Sequence, residues 1–484
     1  MQQAKSTCPT AEAPSVPAWL PCLGTEWREP VGDRSFRGSD TRRLTIALFA
    51  PYTGAKAFSR NDAVMAGKVR EPISRQAPRL FVSIILAAST LLGGCGEDTT
   101  SVPAPAHLVS ITIPAASGEV DSKWLSYPGP PQANVLLPAA YNPQERYPLV
   151  VFLNGLGGDY NSYAEYGLTK PFEDLGAIVV MPEGGSGWYT DWWNDGERGG
   201  PSWESYELEA VIPTILARYP ILPERRYHAL VGISMGGLGA TYLGGRLPGF
   251  FGSVAALSGF VDPQWNAALT QAGMAHFSNA AENGDNHPYP IYGPPDGFYA
   301  SGHNPTRLTK NLAYTRVFVS TGTGVPSTAN PDPGGFAITE ENIIYPMSES
   351  YHPALVAAGV DVIYQVHPGA HDTPDFLDEL NAMLAWGLFE PVPTEPPAWE
   401  NDTVATSGQL WDFNYRFAQP PTQIVTFTRS GNSLSISDAG SEVTITMGTG
   451  CAIHTSTPAT LHLPDSNPIS PSEPDRVGTT ACGV

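Results

Sequence analysis

Apolar residues in the middle of this chain gather in short unbroken runs. Leu149 to Leu153, Ala177 to Met181 and Val254 to Leu257 are the clearest, and Tyr227 to Ile233, Arg316 to Ser320 and Val360 to Val366 are further strand candidates with polar residues among the apolar ones. A short run without polar alternation suits a strand buried on both faces. Val109 to Ile113 and Asn134 to Leu137 read as further short strands. Between them, Trp203 to Leu216 and Gly237 to Leu247 carry apolar or small residues at helical spacing. Strands separated by helices predict an α/β domain with a mostly parallel sheet, over residues 107–390. The period then changes. Glu390 to Pro397 is Pro-rich and reads as a stiff linker, residues 391–398. Gln423 to Thr428, Ser433 to Ser437 and Glu442 to Met447 alternate apolar and polar positions between turn residues. They predict a small all-β domain with a polar tail, residues 399–484. Its Trp411 and Tyr415 suit either a core or a polysaccharide-binding face.

Charge changes the picture of the N-terminus. The chain of 484 residues carries a formal net charge of −21. Residues 1–94 hold 12 Lys+Arg against 7 Asp+Glu, and the remainder holds 14 against 40. An acidic body of this kind argues against nucleic-acid binding. The break coincides with Arg70, Arg75 and Arg79, an apolar run from Leu80 to Leu92, and Leu92-Gly93-Gly94-Cys95. This resembles a bacterial lipoprotein signal with its lipobox, in which Cys95 receives the lipid. The run is too short for a membrane-spanning helix. Residues 65–95 are therefore expected to be the signal, starting at Met65, and 96–106 a tether. Residues 1–64 show no sustained period and are expected to be an over-extended, unstructured N-terminus. The protein is then exported and lipid-anchored to the cell envelope, with the membrane as a partner through Cys95. Of the 5 cysteines, Cys451 and Cys482 remain beyond the signal and the lipid site, and could form a disulfide. Cys451-x-x-His454 has no second pair to complete a metal site, and no metal is expected.

The chemistry centres on Gly232-Ile233-Ser234-Met235-Gly236-Gly237. Strand, G-x-S-x-G, then helix is the order of a nucleophile elbow, which lifts the serine hydroxyl out of the backbone. A serine needs a base, and the base belongs on a late loop after the last strand. His371 fits, in His367-Pro368-Gly369-Ala370-His371-Asp372. His367 lies nearer the strand end, and Pro368-Gly369 rules out a helical His-x3-His metal pair. The acid is open on spacing alone: Glu340, Glu341, Asp332 and Asp372 all lie in reach of the sequence order. The oxyanion hole should use the N–H groups of Met235 and of Leu156, in the glycine-rich loop that follows Leu149 to Leu153.

Residues 108–390 resemble the bacterial putative-esterase family of α/β hydrolases, in particular its antigen 85 mycolyltransferase branch. The matching pieces are Asn154-Gly155-Leu156 with Asp159-Tyr160-Asn161, Val180-Met181-Pro182, Trp188-Tyr189-x-Asp191-Trp192, Trp203-Glu204, Tyr292-Gly293-Pro294 and Asn304-Pro305. Glu341-Asn342, ahead of Ala357-Ala358-Gly359, is similar to the segment in which that branch places its acid. The resemblance thus implies Ser234, Glu341 and His371 as a triad and an α/β-hydrolase fold. It also implies substrate contacts at Asn154, and Trp188 and Trp192 are expected to line the cleft. There are departures. Asn154 stands where the branch has Asp, Gly157 stands where it has Arg, and no aromatic closely follows His371. The expected function is an exported serine esterase acting on ester or acyl-lipid substrates, without a cofactor. Transfer of a fatty acyl group to a sugar hydroxyl is the alternative, and a non-catalytic envelope-binding lipoprotein the rival of another class.

Overall fold

A computed structural model describes residues 104–116, 119–198, 200–448, 450–463 and 480–481. The expected N-terminal extension, the signal with Cys95, most of the tether, and Cys482 lie outside the described residues. The described residues belong to one compact unit.

Its centre is an eight-stranded sheet. The strands are β1 (His107–Thr112), β2 (Gln132–Leu137), β3 (Leu149–Leu153), β4 (Ile178–Pro182), β5 (His228–Ile233), β6 (Ser253–Leu257), β7 (Arg316–Gly322) and β8 (Asp361–His367). Their spatial order is β1-β2-β4-β3-β5-β6-β7-β8. β1, β2 and β4 pair antiparallel in turn, and β4, β3 and β5 to β8 run parallel. The unbroken apolar runs have a simple cause. Leu149, Val151 and Leu153 pack into one buried cluster, and Val150 and Phe152 into another. Alternate side chains of one strand therefore feed opposite faces, and both faces are covered. On one face lie α1 (Ile212–Arg218), α2 (Met235–Arg246) and α4 (Gly335–Ala357); α5 (Thr373–Trp386) covers the other. A further helix, α3 (Ala267–Phe277), follows β6. The chain moves outward from β3 to β4, then crosses back over β3 to β5. Strand order thus reverses between β3 and β5, and the carboxyl ends of strands beside such a reversal splay apart into a crevice.

The C-terminal region is a sandwich of two sheets. One has the order β10-β11-β14-β15-β17 and the other β16-β13-β12-β9. These strands are β9 (Ala398–Thr403), β10 (Ser407–Leu410), β11 (Phe413–Phe417), β12 (Val425–Ser430), β13 (Ser433–Ile436), β14 (Glu442–Met447), β15 (Cys451–Ser456), β16 (Ala459–His462) and β17 (Thr480–Ala481). Their inward positions form a core of Trp399, Phe413, Tyr415, Phe427, Ile436 and Ile445. Trp411 and Tyr415 are both buried in that core. Cys451 is disulfide-bonded, and β17 pairs with β15 beside it.

Candidate active site

Ser234 sits between β5 and α2 with φ 58° and ψ −121°. A non-glycine residue held there is strained and must be held by its surroundings. Three glycines make the turn possible. A Cβ on Gly232 would collide with the Gly236 carbonyl, and one on Gly236 with the Leu153 carbonyl. A Cβ on Gly237 would come within 2.7 Å of the Gly259 Cα. The Ser234 backbone is clamped on both sides, its N–H donating to Leu257 O (3.0 Å) and its carbonyl accepting from Phe260 N (3.0 Å). The hydroxyl is partly exposed and, among the described residues, carries no hydrogen bond.

Glu341 and His371 meet at the carboxyl ends of the neighbouring strands. Glu341 projects from α4 and is completely buried. Its Oε1 accepts from Ser258 Oγ (2.8 Å), Thr321 Oγ1 (3.0 Å) and the Gly322 N–H (2.8 Å). Its Oε2 accepts from His371 Nδ1 at 2.8 Å. Burial alone would push the carboxyl up, but the His371 bond and charge and these donors hold it below its ordinary value. His371 moves the opposite way. Burial pulls the imidazole down, and the Glu341 bond and charge outweigh it and raise it. With Nδ1 donating to the carboxylate, Nε2 is the nitrogen left to act as a base. The His371 loop is pinned by His371 N to Ala337 O (3.1 Å) and Ala370 N to Asp375 Oδ2 (2.9 Å). The other acids named from sequence do not pair with it. Asp332 is exposed, and Asp372 caps α5 by accepting from Thr373 N (2.7 Å). Glu340 lies close enough to feel the His371 charge without a hydrogen bond to it.

The loop after β3 lies against the elbow, since a Cβ on Gly155 would stand 3.5 Å from the Ser234 Cβ. Among the described residues the N–H groups of Leu156 and Met235 carry no backbone hydrogen bond, and the first helical N–H to be satisfied is that of Gly237, on Ser234 O (2.9 Å). Two free donors thus flank the serine, one at the N-terminus of α2.

Three expected substrate contacts are corrected. Asn154 is 2% exposed, and its amide is used up within its own loop and in tying that loop to the one after β4. Nδ2 donates to Gly155 O (2.9 Å), Gly158 O (3.2 Å) and Gly185 O (3.1 Å), while Oδ1 accepts from Gly184 N (3.0 Å) and Tyr189 OH (3.0 Å). Asn154 therefore shapes the donor loop and has no face for substrate. Trp188 and Trp192 are also buried, their indole N–H groups satisfied by Ser278 Oγ and Gly187 O. Trp188 instead packs against Phe260, the residue clamped to Ser234, with the rings tilted at 59° and 5.0 Å apart. The aromatic that the sequence lacked directly after His371 is Phe376, whose ring meets the imidazole edge to face at 4.9 Å. Ser258, Thr321 and Glu379 were not singled out from sequence. Ser258-Gly259 directly after β6 was the available signal, because that strand abuts the elbow.

A parallel sheet with a serine held in a strained turn at its switch point defines an α/β hydrolase. The chain belongs to the putative esterase family, whose sequence model matches residues 126–387. It is 28% identical over 251 residues to Esterase Rv1288 of Mycobacterium tuberculosis, covering 50% of this chain and 52% of that one. It therefore spans about half the length of that relative. It is also 28% identical to the diacylglycerol acyltransferase/mycolyltransferase Ag85C of Mycobacterium leprae, covering 48% of this chain and 72% of the relative. Among solved structures, that of Mycobacterium tuberculosis MPT51 is similar at 22% identity with a TM-score of 0.46, covering 59% of this chain and 100% of that one.

Proposed function

We propose that this chain is an exported serine esterase, anchored through Cys95, that acts on carboxylic esters of the cell envelope or its surroundings. The observation that carries the catalytic part is the buried Glu341–His371 pair, at the same carboxyl end of the parallel sheet as the strained Ser234 elbow. Ser234 Oγ attacks the ester carbonyl as His371 Nε2 takes its proton. The N–H groups of Leu156 and Met235 hold the oxyanion. Collapse expels the alcohol, protonated by His371, and leaves an acyl-enzyme. Water then repeats the attack with His371 again as base, releasing the acid. Glu341 fixes the imidazole tautomer and offsets its transient positive charge.

A second reading, acyl transfer to a sugar hydroxyl, rests on the similarity to a relative described as an acyltransferase. The two share the acyl-enzyme and part at the acceptor. Incubation with p-nitrophenyl esters of rising chain length, with and without trehalose, separates them. Hydrolysis unmoved by sugar, and reduced by about 10⁶-fold in Ser234→Ala, supports the esterase. An acylated sugar formed at the expense of free acid supports transfer. No turnover and no fluorophosphonate labelling at Ser234 returns the chain to a binding lipoprotein.

A further inference from the structure

A second imidazole–carboxylate pair lies one hydroxyl away from Glu341. Glu379, on α5, is 1% exposed. Its Oε1 faces His367 Nε2 at 2.9 Å and accepts from Ser258 Oγ at 3.1 Å, the same hydroxyl that reaches Glu341 Oε1 at 2.8 Å. Its Oε2 is buried with no partner among the described residues. The chain of contacts thus runs His367–Glu379–Ser258–Glu341–His371. Ser258 is held in place for this, with φ 41° and its N–H donating to Ser320 O (2.8 Å).

The hydrogen count makes the arrangement informative. Ser258 has one proton and faces two carboxylates, so it can donate fully to only one. His367 faces an acceptor on each side, since Nδ1 lies 2.9 Å from Pro368 O and Nε2 faces Glu379. Burial and the Glu341 charge raise the Glu379 carboxyl, and the His367 bond and charge oppose them; wherever Glu379 is ionised, both ring nitrogens of His367 must carry protons. The imidazolium then serves Glu379 and leaves the Ser258 proton to Glu341. We propose that His367 and Glu379 are positioning residues for the acid–base couple, acting through Ser258 to keep Glu341 ionised and aimed at His371. The inference rests on the esterase reading.

Titration makes it testable. Burial pulls His367 down, but the Glu379 bond and charge raise it to about 9. The acidic groups that act on it are Glu379 on α5 and Glu341 on α4, and Asp375 on α5 lies against the same Gly369 turn. Its side chain is 27% exposed, so solvent reaches it. Below about 9 it is an imidazolium; above that it loses the proton that serves Glu379, and Ser258 is drawn away from Glu341.

The test follows His371 by NMR across pH 7–10 (ring Cε1–H resonance) and kcat/KM for p-nitrophenyl acetate on the same samples. A second step in the His371 shift is expected near 9, with kcat/KM falling about three- to tenfold through it, the size of one hydrogen bond. His367→Gln keeps a donor that does not titrate, so the step should vanish from both readouts. Ser258→Ala should remove it while His367 still titrates. A step that persists unchanged in His367→Gln or Ser258→Ala, or no step in the native protein, overturns the inference. If the NMR step is present but Ser234-dependent turnover is not, the esterase reading fails while the coupling stands.

Discussion

At the scale of single residues, the Glu341–His371 contact decides what the site can do. Glu341 keeps four donors although no water reaches it, so its charge stays within reach of the imidazole. A base works only when neutral. Because the fold raises His371 above its ordinary 6.5, kcat/KM should fall on the acid side with a midpoint above that value. Glu341→Gln keeps the shape and removes the charge. We expect kcat to fall about 10²- to 10⁴-fold, and the acid limb of the remaining activity to move to lower pH. An unmoved limb would mean that a different group supplies the charge. For stability the signs differ. Glu341 is held below its ordinary 4.5, so its contribution is present above that pH and is lost as pH falls through the folded value. His371 is raised, so its contribution is present below 6.5 and is lost as pH rises through its folded value.

At the scale of elements, the donor loop after β3 has no regular structure and depends on Asn154. Removing its amide leaves the Gly184 N–H without its acceptor and takes one from the Tyr189 hydroxyl, at about 1–3 kcal/mol for a buried group left unpaired. Asn154→Ala should lower Tm and cut kcat about 10- to 100-fold with KM nearly unchanged, because an oxyanion donor acts in the transition state. A KM effect alone would return Asn154 to the substrate. The elements themselves were unevenly legible. β3 matches the sequence reading, and β5 begins one residue later than expected, because an unbroken apolar run has few other readings. Helix α2 begins at Met235 rather than Gly237, since the elbow passes directly into it. The expected helix Trp203 to Leu216 contains a π-turn at Tyr206–Val211, a widening that a 3.6-residue period does not reveal. Helix α4 was hidden by Pro346 and Pro353, which read locally as breakers. Glu341 lies on that hidden helix, so spacing could not separate it from its rivals and only the family resemblance favoured it. Ser234 and His371 were legible because each stands at a strand end with its own turn chemistry. Ser258 and Glu379 were not, because their contacts join β6, α4 and α5 across the sheet.

At the scale of the whole molecule, the C-terminal sandwich is clamped to the far end of the helix that begins at the elbow. Arg246, the last residue of α2, is 3% exposed. It donates to Glu204 Oε1, to Tyr415 OH (3.0 Å) and to Ser407 O (2.9 Å). Asn401 Nδ2 adds a bond to Gly245 O (3.0 Å). Nearby, Arg225 lies under the Trp411 ring and donates to Pro393 O (2.9 Å), so the Pro-rich linker is packed against the body. Glu204 shows how much the clamp carries. Burial would raise its carboxyl, yet Arg246 and His303 hold it at about 2. Arg246→Met keeps most of the volume and strands that charge, which typically costs about 3–5 kcal/mol. Tm should fall by about 5 °C or more, and fluorophosphonate labelling of Ser234 should slow, because the helix that presents its N–H groups is no longer fixed at its other end. Adding Glu204→Leu removes the stranded charge and should restore most of the Tm. If labelling recovers with Tm, the clamp acts through stability alone. If Tm recovers and labelling stays slow, the sandwich holds the elbow in register through the far end of α2.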